Sequence, residues 1–413
     1  MLSAPVVGWV LYDFANTIFS FVVVTRYFND WIIEERGQPD IYVGLMTAAV
    51  SLALVIALPV IGARADIAGR HKPVLAAFTT LCVAMTALLG VVQPVLLALV
   101  VAGIATFAFN TADSQYHPLL ATVAPERRRG RISGLGVAVG YLGALLALFV
   151  LGALVSDGEA QRSFIPAAAM FAVAGLPCFL FVREQRKPLD PDARPSKPLA
   201  AVLATARRAR DGPHGRLLLA RFLYVDAIAT VIAFMTVYAR RTGDFDGDRI
   251  DALLAISSVI AIAGALGGGL LAERVGPKKV VLGTLAGTIV TLMAVAGTGS
   301  SVLLWLAGPL VGMALGSLSA VDRVFMLRLV PAQRRGEDFG LYALVGKLST
   351  GFGPLVLWGG TILVMNELVG LSKFDASRVA VAVLALSALA GLLVLAPLDD
   401  RERFIPLNAS VQA

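Results

Sequence analysis

Residues 62–72 read Gly62-Ala63-Arg64-Ala65-Asp66-Ile67-Ala68-Gly69-Arg70-His71-Lys72, and residues 269–279 read Gly269-Leu270-Leu271-Ala272-Glu273-Arg274-Val275-Gly276-Pro277-Lys278-Lys279. Each is a short polar loop with glycine, an acid, a second glycine and a lysine at matching spacings, 207 residues apart. A second pair follows in the same order: Pro125 through Gly130 is echoed by Pro331 through Gly336, offset by 206. Ahead of both, Tyr12-Asp13-x-x-x-Thr17 is answered by Tyr224-x-Asp226-x-x-x-Thr230. Three landmarks repeated in one order describe a chain of two like halves. The loops are flanked by apolar runs of about 20 residues, the length that crosses a bilayer as a helix.

Counting outward from these loops gives twelve such runs, with approximate limits 6–30, 42–63, 73–92, 95–119, 131–155, 163–182, 217–239, 251–273, 279–298, 302–327, 338–364 and 376–397. They are numbered here as spans 1 to 12. The composition agrees: of 413 residues 57% are hydrophobic and 15% charged, with a mean hydropathy of +0.79. Soluble domains carry about 45–50% apolar and about 25% charged residues. The numbers exclude an ordinary soluble enzyme and a disordered chain, and leave no room for a separate soluble domain. The first apolar run is too long, and too polar at Tyr12, Asp13 and Asn16, for a cleavable leader. Cys82 and Cys178 both fall in apolar runs and read as packing residues rather than a disulfide framework.

The expected organisation is an N-terminal six-helix bundle over 1–182, a polar linker over 183–216 and a C-terminal six-helix bundle with a short tail over 217–413. Basic residues set the orientation. With the N-terminus inside, inner segments hold 24 Lys and Arg against seven outside: Arg36, Arg162, Arg240, Arg241, Arg249, Lys373 and Arg378. That bias places both termini and the linker in the cytoplasm. It also explains the net charge of +7 without a nucleic-acid partner.

The Gly62-to-Lys72 loop resembles the signature loop between helices 2 and 3 of the major facilitator superfamily, and the span count, linker and parallel repeat extend that resemblance along the chain. Two phrases narrow it. Trp9-Val10-Leu11-Tyr12-Asp13-Phe14-Ala15-Asn16-Thr17 and Arg221-Phe222-Leu223-Tyr224-Val225-Asp226-Ala227 are similar to the openings of helices 1 and 7 in the vacuole effluxer family of autophagy-related amino-acid exporters and its bacterial relatives. The second signature loop departs from the pattern, with Glu273 for Asp and Pro277 for Arg. The resemblance implies an all-α membrane protein of twelve helices in two pseudo-symmetric bundles, rocking about a central site lined by helices 1, 4, 7 and 10, with helix 11 beside it.

Eight charged residues fall inside the expected spans: Asp13, Arg26, Asp113, Arg221, Asp226, Asp322, Arg323 and Lys347. At about 2.5–3.5 kcal/mol each, unrelieved charges at mid-bilayer would cost roughly 20–28 kcal/mol, more than a domain's net stability of about 5–15 kcal/mol. They must pair, face a wet cleft, or sit near the interface. Arg26 lies about 12 Å from the centre of its span at ~1.5 Å per residue, and reads as an anchor that snorkels outward. Asp13, Asn16 and Thr17 share one helical face, as do Asp226 with Thr230 and Asp113 with His117. Asp322 and Arg323 are neighbours in sequence, so their side chains diverge to different partners.

The bland reading is that four acids and four bases form structural ion pairs. In the sharper reading Lys347 or Arg323 holds a substrate carboxylate, while Asp13 or Asp226 accepts an ammonium group or a coupling proton. His117 suits the same proton role, or a capping role before Pro118. The candidate substrate or proton site is therefore Asp13, Asn16, Asp113, His117, Asp226, Arg323 and Lys347. By resemblance, Gly62, Asp66, Arg70 and Glu126 would form a conformational latch. Gly62 would permit close helix contact, Asp66 would accept at the N-terminus of helix 11, and Arg70 would bridge to a carboxylate such as Glu126.

Other motifs fall away. Gly136, Gly140 and Gly143 read as a close-packing stripe rather than a dinucleotide loop. Gly346-Lys347-Leu348 lacks the spacing and hydroxyl of a phosphate loop. No catalytic set, cofactor site or zinc-ligand spacing is found, so no ATP hydrolysis of its own drives the chain. The expectation is a monomeric secondary transporter in a bacterial inner membrane, moving a small organic solute, an amino acid or similar zwitterion first, with the proton as coupling ion. The alternatives are a carrier of lipid, drug or metal, or a membrane-embedded enzyme or receptor on a transporter scaffold.

Overall fold

The computed structural model describes residues 3–68, 70–124, 126–184, 198–210, 213–242, 244–329 and 335–398. Twelve helices are long and apolar enough to cross a membrane: Ala4–Glu35, Asp40–Ala65, Lys72–Leu89, Val95–Leu119, Leu135–Leu154, Ala160–Phe181, His214–Arg241, Gly247–Ala272, Pro277–Thr298, Ser301–Met326, Gly340–Leu368 and Lys373–Leu395. These are spans 1 to 12. No strand occurs among the described residues, as a lipid environment requires when a helix satisfies its own backbone groups. The helix ends carry ordinary signals. Asp246 caps span 8 by accepting from the Arg249 N–H at 2.9 Å. Ser372 caps span 12 by accepting from Asp375 at 3.1 Å. Gly299, with φ of 62°, takes the left-handed geometry that closes a helix, and Gly276 turns the chain between spans 8 and 9 with φ of 93°.

Two boundaries differ from the sequence expectation. Span 1 runs on to Glu35, past Asn29, Asp30 and Glu34, because those polar groups find partners instead of ending the helix. Within it the stretch Ser20–Arg26 is π-helical, as is Gly353–Gly360 in span 11. Inside the stretch expected only as a polar linker lies a helix, Pro198–Arg210. It packs against spans 2, 7 and 11.

Helix contacts repeat by adding six. Spans 1 and 5, 1 and 6, 2 and 4, 3 and 4, and 3 and 6 pack together. So do 7 and 11, 7 and 12, 8 and 10, 9 and 10, and 9 and 12. The halves meet through spans 2 with 11, 5 with 8, and 1 with 7. Large aromatics such as Trp31, Trp358, Tyr12 and Tyr224 are fully buried inside. Phe149, Leu96 and Val302 are 79%, 76% and 74% exposed on the outside. Their exposure marks lipid as the surrounding solvent. The glycine stripe of span 5 works as its spacing suggests. A Cβ on Gly136 would lie 2.8 Å from the Trp9 ring, and one on Gly140 would lie 2.8 Å from Thr17 Oγ1.

Candidate functional site

A cavity of about 380 Å³ lies between the halves. Asp13, Thr17 and Tyr141 line its N-half wall, and Ser257, Ser258 and Arg323 its C-half wall. Below, "linker end" means the side carrying the linker helix, and "far end" the opposite side. The cavity extends as far as Thr25, directly under the groups that close the far end.

Spans 1 and 4 bring one polar patch together. Asn16 Nδ2 donates to Asp113 Oδ1 at 3.1 Å. His117 Nε2 lies 3.6 Å from Asp113 Oδ2, and Thr17 Oγ1 donates to the Asp13 carbonyl at 3.0 Å. Lys347 reaches across from span 11 and donates to Asn110 Oδ1 at 2.5 Å. Asn110, Asp113 and His117 sit at i, i+3 and i+7, so Asn110 was detectable by the face rule applied to its neighbours. Two aromatic hydroxyls tie span 1 to its neighbours: Tyr116 of span 4 donates to the Trp9 carbonyl at 2.9 Å, and Tyr12 shares a 2.5 Å hydrogen bond with Thr79 of span 3. Arg323 is exposed on the facing wall and makes no ion pair among the described residues.

The remaining charges divide as diverging neighbours should. Tyr224 donates to Asp322 Oδ1 at 2.8 Å, and Arg221 Nε lies 3.5 Å from Asp322 Oδ2. The Arg221 guanidinium also covers the Tyr342 ring at 3.9 Å. Asp226 stands apart from the cavity. It is fully buried, with Oδ1 accepting the Gly353 N–H at 3.0 Å. Like Asp13 against Gly136, it lies against a glycine of the helix four further along, but the π-helical stretch opening at Gly353 presents an N–H that seals it in.

Arg26 corrects the expectation of a snorkelling anchor. It is 4% exposed, 2.5 Å from Asp251 and 3.3 Å from Asp30. It belongs to a far-end closure in which Arg240 bonds Asp30 at 2.6 Å and Asp157 at 2.5 Å. Arg241 bonds Glu34 at 2.9 Å and Asp40 at 2.7 Å, and Trp358 Nε1 donates to Asp40 at 2.8 Å. Five of these ion pairs cross between halves. The Arg240 guanidinium donating to Asp157 holds that loop carboxyl below its ordinary value. Sequence reading missed this cluster because Arg240, Arg241 and Asp251 sit at helix margins, where charges are cheap and unremarked.

The expected latch is only partly in view. The side chains of Asp66 and Glu126 lie outside the described residues. Gly62 does not make the close helix contact expected of it: among the described residues a Cβ there would meet nothing within 4 Å. Arg70 is exposed, with its backbone N–H on the Ala65 carbonyl at 3.1 Å.

A family model described as Major Facilitator Superfamily matches residues 7–354. The uncharacterized MFS-type transporter YxiO of Bacillus subtilis is 28% identical over 374 residues, covering 85% of this chain and 86% of that one. Autophagy-related protein 22-2 of Aspergillus clavatus is 24% identical over 285 residues, covering 59% of this chain and 46% of its own length. The crystal structure of nucleoside transporter NupG superposes with a TM-score of 0.72 at 15% identity, covering 95% of this chain and 98% of that one.

Proposed function

The chain belongs to the Major Facilitator Superfamily and is a membrane transporter rather than an enzyme, and from that premise we propose that its central cavity carries a small zwitterion, an amino acid first, by alternating access. The observation that carries this reading is the placement of Arg323 on one wall of the cavity and Asp13 on the other. A carboxylate suits the first and an ammonium group the second, so one zwitterion bridges the halves and draws them together. The Asp113, Asn16 and His117 patch lies beside Asp13 and supplies carboxylate and imidazole groups for a coupling proton. The phrases around Tyr12 and Tyr224 that resemble the amino-acid exporters support the same substrate class.

In this reading the protein is a monomer in a bacterial inner membrane, with both termini and the linker cytoplasmic as the distribution of basic residues favours. The two halves, 1–182 and 217–413, move as bodies joined by the linker. The closed far end is then the outer one, and the cavity serves the inner side. The test is a ligand-stabilisation screen of purified full-length protein at two pH values with amino acids, matched amines and acids, nucleosides and cationic drugs. Zwitterions should raise the melting temperature of wild type and lose that effect in Arg323→Met and Asp13→Asn. Stabilisation by amines or nucleosides alone, unchanged in both variants, contradicts the reading.

A further inference from the structure

Asp226 and Thr230 form a buried polar pair that the carried solute does not reach. They are 0% and 1% exposed, and neither lines the central cavity. Asp226 Oδ1 has the Gly353 N–H, but Asp226 Oδ2 and Thr230 Oγ1 have no hydrogen-bond partner. Both side chains close on the same residue: a Cβ on Gly353 would lie 2.6 Å from Asp226 Oδ1 and collide with Thr230 Oγ1.

The charged groups on the surrounding elements are engaged elsewhere. Arg221 and Asp322 pair with each other, Lys347 reaches Asn110, and Arg323 faces the cavity. On span 1, Asp13 lines the cavity, while Arg26 and Asp30 belong to the far-end closure. On span 12, Arg378 pairs with Asp375 near the N-terminus of the helix. Arg207, Arg208 and Arg210 stand on the linker helix. Asp226 forms an ion pair with none of them among the described residues. A bare carboxylate in a dry site is too costly to keep, and two free oxygens one helical turn apart are the groups that receive a small positive charge.

We propose that Asp226 and Thr230 hold a small monovalent cation, a proton or a sodium ion, and that its presence sets the packing of span 11 against span 2. The second half of this statement follows from where Gly353 lies. It opens the π-helical stretch Gly353–Gly360, and that stretch, like the helix before it, packs against span 2. A Cβ on Gly44 would lie 2.6 Å from the Pro354 carbonyl oxygen, and one on Gly359 would lie 2.9 Å from the Ile41 Cα. One short segment is thus bonded to Asp226 on one side and packed against the opposite half on the other. An ion that alters the Gly353 bond biases the interface between halves, and by linkage the interface biases ion affinity. The inference rests on the carrier reading for its use, but the ion and the solute occupy different places.

The test uses the full chain in lipid nanodiscs, with infrared difference spectra recorded in pH steps in choline chloride and again with sodium chloride in its place. A carboxyl signal that titrates, or that sodium displaces, is expected in wild type and absent in Asp226→Asn. Displacement by sodium identifies sodium as the cation, and indifference to it identifies the proton. Thr230→Val should keep the signal and weaken cation affinity about three- to tenfold, the effect of one lost hydrogen bond. Spectra of wild type and Asp226→Asn that coincide in both salts overturn the proposal. Should Asp226→Asn fail to fold, an unchanged midpoint in Thr230→Val overturns it instead. Cation uptake without solute movement in liposomes would remove the carrier reading and leave this site standing; solute movement with coincident spectra would do the reverse.

Discussion

Arg323 and Asp13 stand on opposite walls of one cavity, and each should answer to a different end of the cargo. Removing the guanidinium in Arg323→Met forfeits a charged hydrogen bond of about 1.5–3 kcal/mol, a ten- to hundredfold loss of affinity for carboxylate-bearing ligands. Titration of ligand binding by melting shifts measures this, and amines lacking a carboxylate should be unaffected. Asp157 gives a pH-dependent counterpart. Arg240 holds its carboxyl down in the closed state, so its contribution to closure is full above the ordinary Asp value of about 3.9 and fades as pH falls through the lower value. The side chain is 48% exposed, so the effect is that of a surface pair, under about 1 kcal/mol. Melting temperatures of wild type and Asp157→Asn should differ near neutral pH and converge only at acid pH, below the ordinary Asp range. At this scale the sequence marked which charges lie within the spans, but not where they point. The cost of charge in lipid singled out Asp13, Asp113, Arg323 and Lys347. Depth along a helix carries no azimuth, however, and so Asp226 was grouped with a cavity that it does not line.

At the scale of elements, apolar length made all twelve spans legible, and the glycine spacing of span 5 foretold its contact with span 1. Gly140→Val would push a side chain into Thr17 and Asp13 and should destabilise by about 1–3 kcal/mol, the usual effect of overpacking. Thermal unfolding in detergent checks this, with Gly283→Val, where a Cβ meets nothing within 4 Å, as a near-neutral control. What composition does not encode is the local change of helical pitch. Pro354, which lacks an N–H, and Gly359-Gly360 mark the run around Gly353 as a place where the helical ladder can change pitch, but apolar length alone does not show that it does. The linker helix was hidden for a related reason: its Arg and Lys count marked an inner loop, which masked the Ala and Leu spacing of Pro198–Arg210.

For the whole molecule, the repeat read from two loops recurs as helix contacts displaced by six, so the two-half architecture was present in the sequence from the start. The closure was not, since its five inter-half ion pairs join span ends and loops that lie far apart in sequence. In the proposed carrier cycle these pairs would hold the state closed at the far end. Removing Arg240 and Arg241 leaves Asp30 and Asp40 buried with fewer partners, and loss of a buried charge partner costs about 2–5 kcal/mol. The closed state should lose that much relative to one open at the far end. Pulsed electron spin resonance on full-length protein in nanodiscs, with spin labels at Gln93→Cys and Ser300→Cys, reads the separation of the two halves there. Both native cysteines are buried and should stay unlabelled. Wild type should give one short distance, and the Arg240→Ala, Arg241→Ala variant should add a longer one. A single distance, identical in both proteins with and without a stabilising ligand, would contradict alternating access about this cavity.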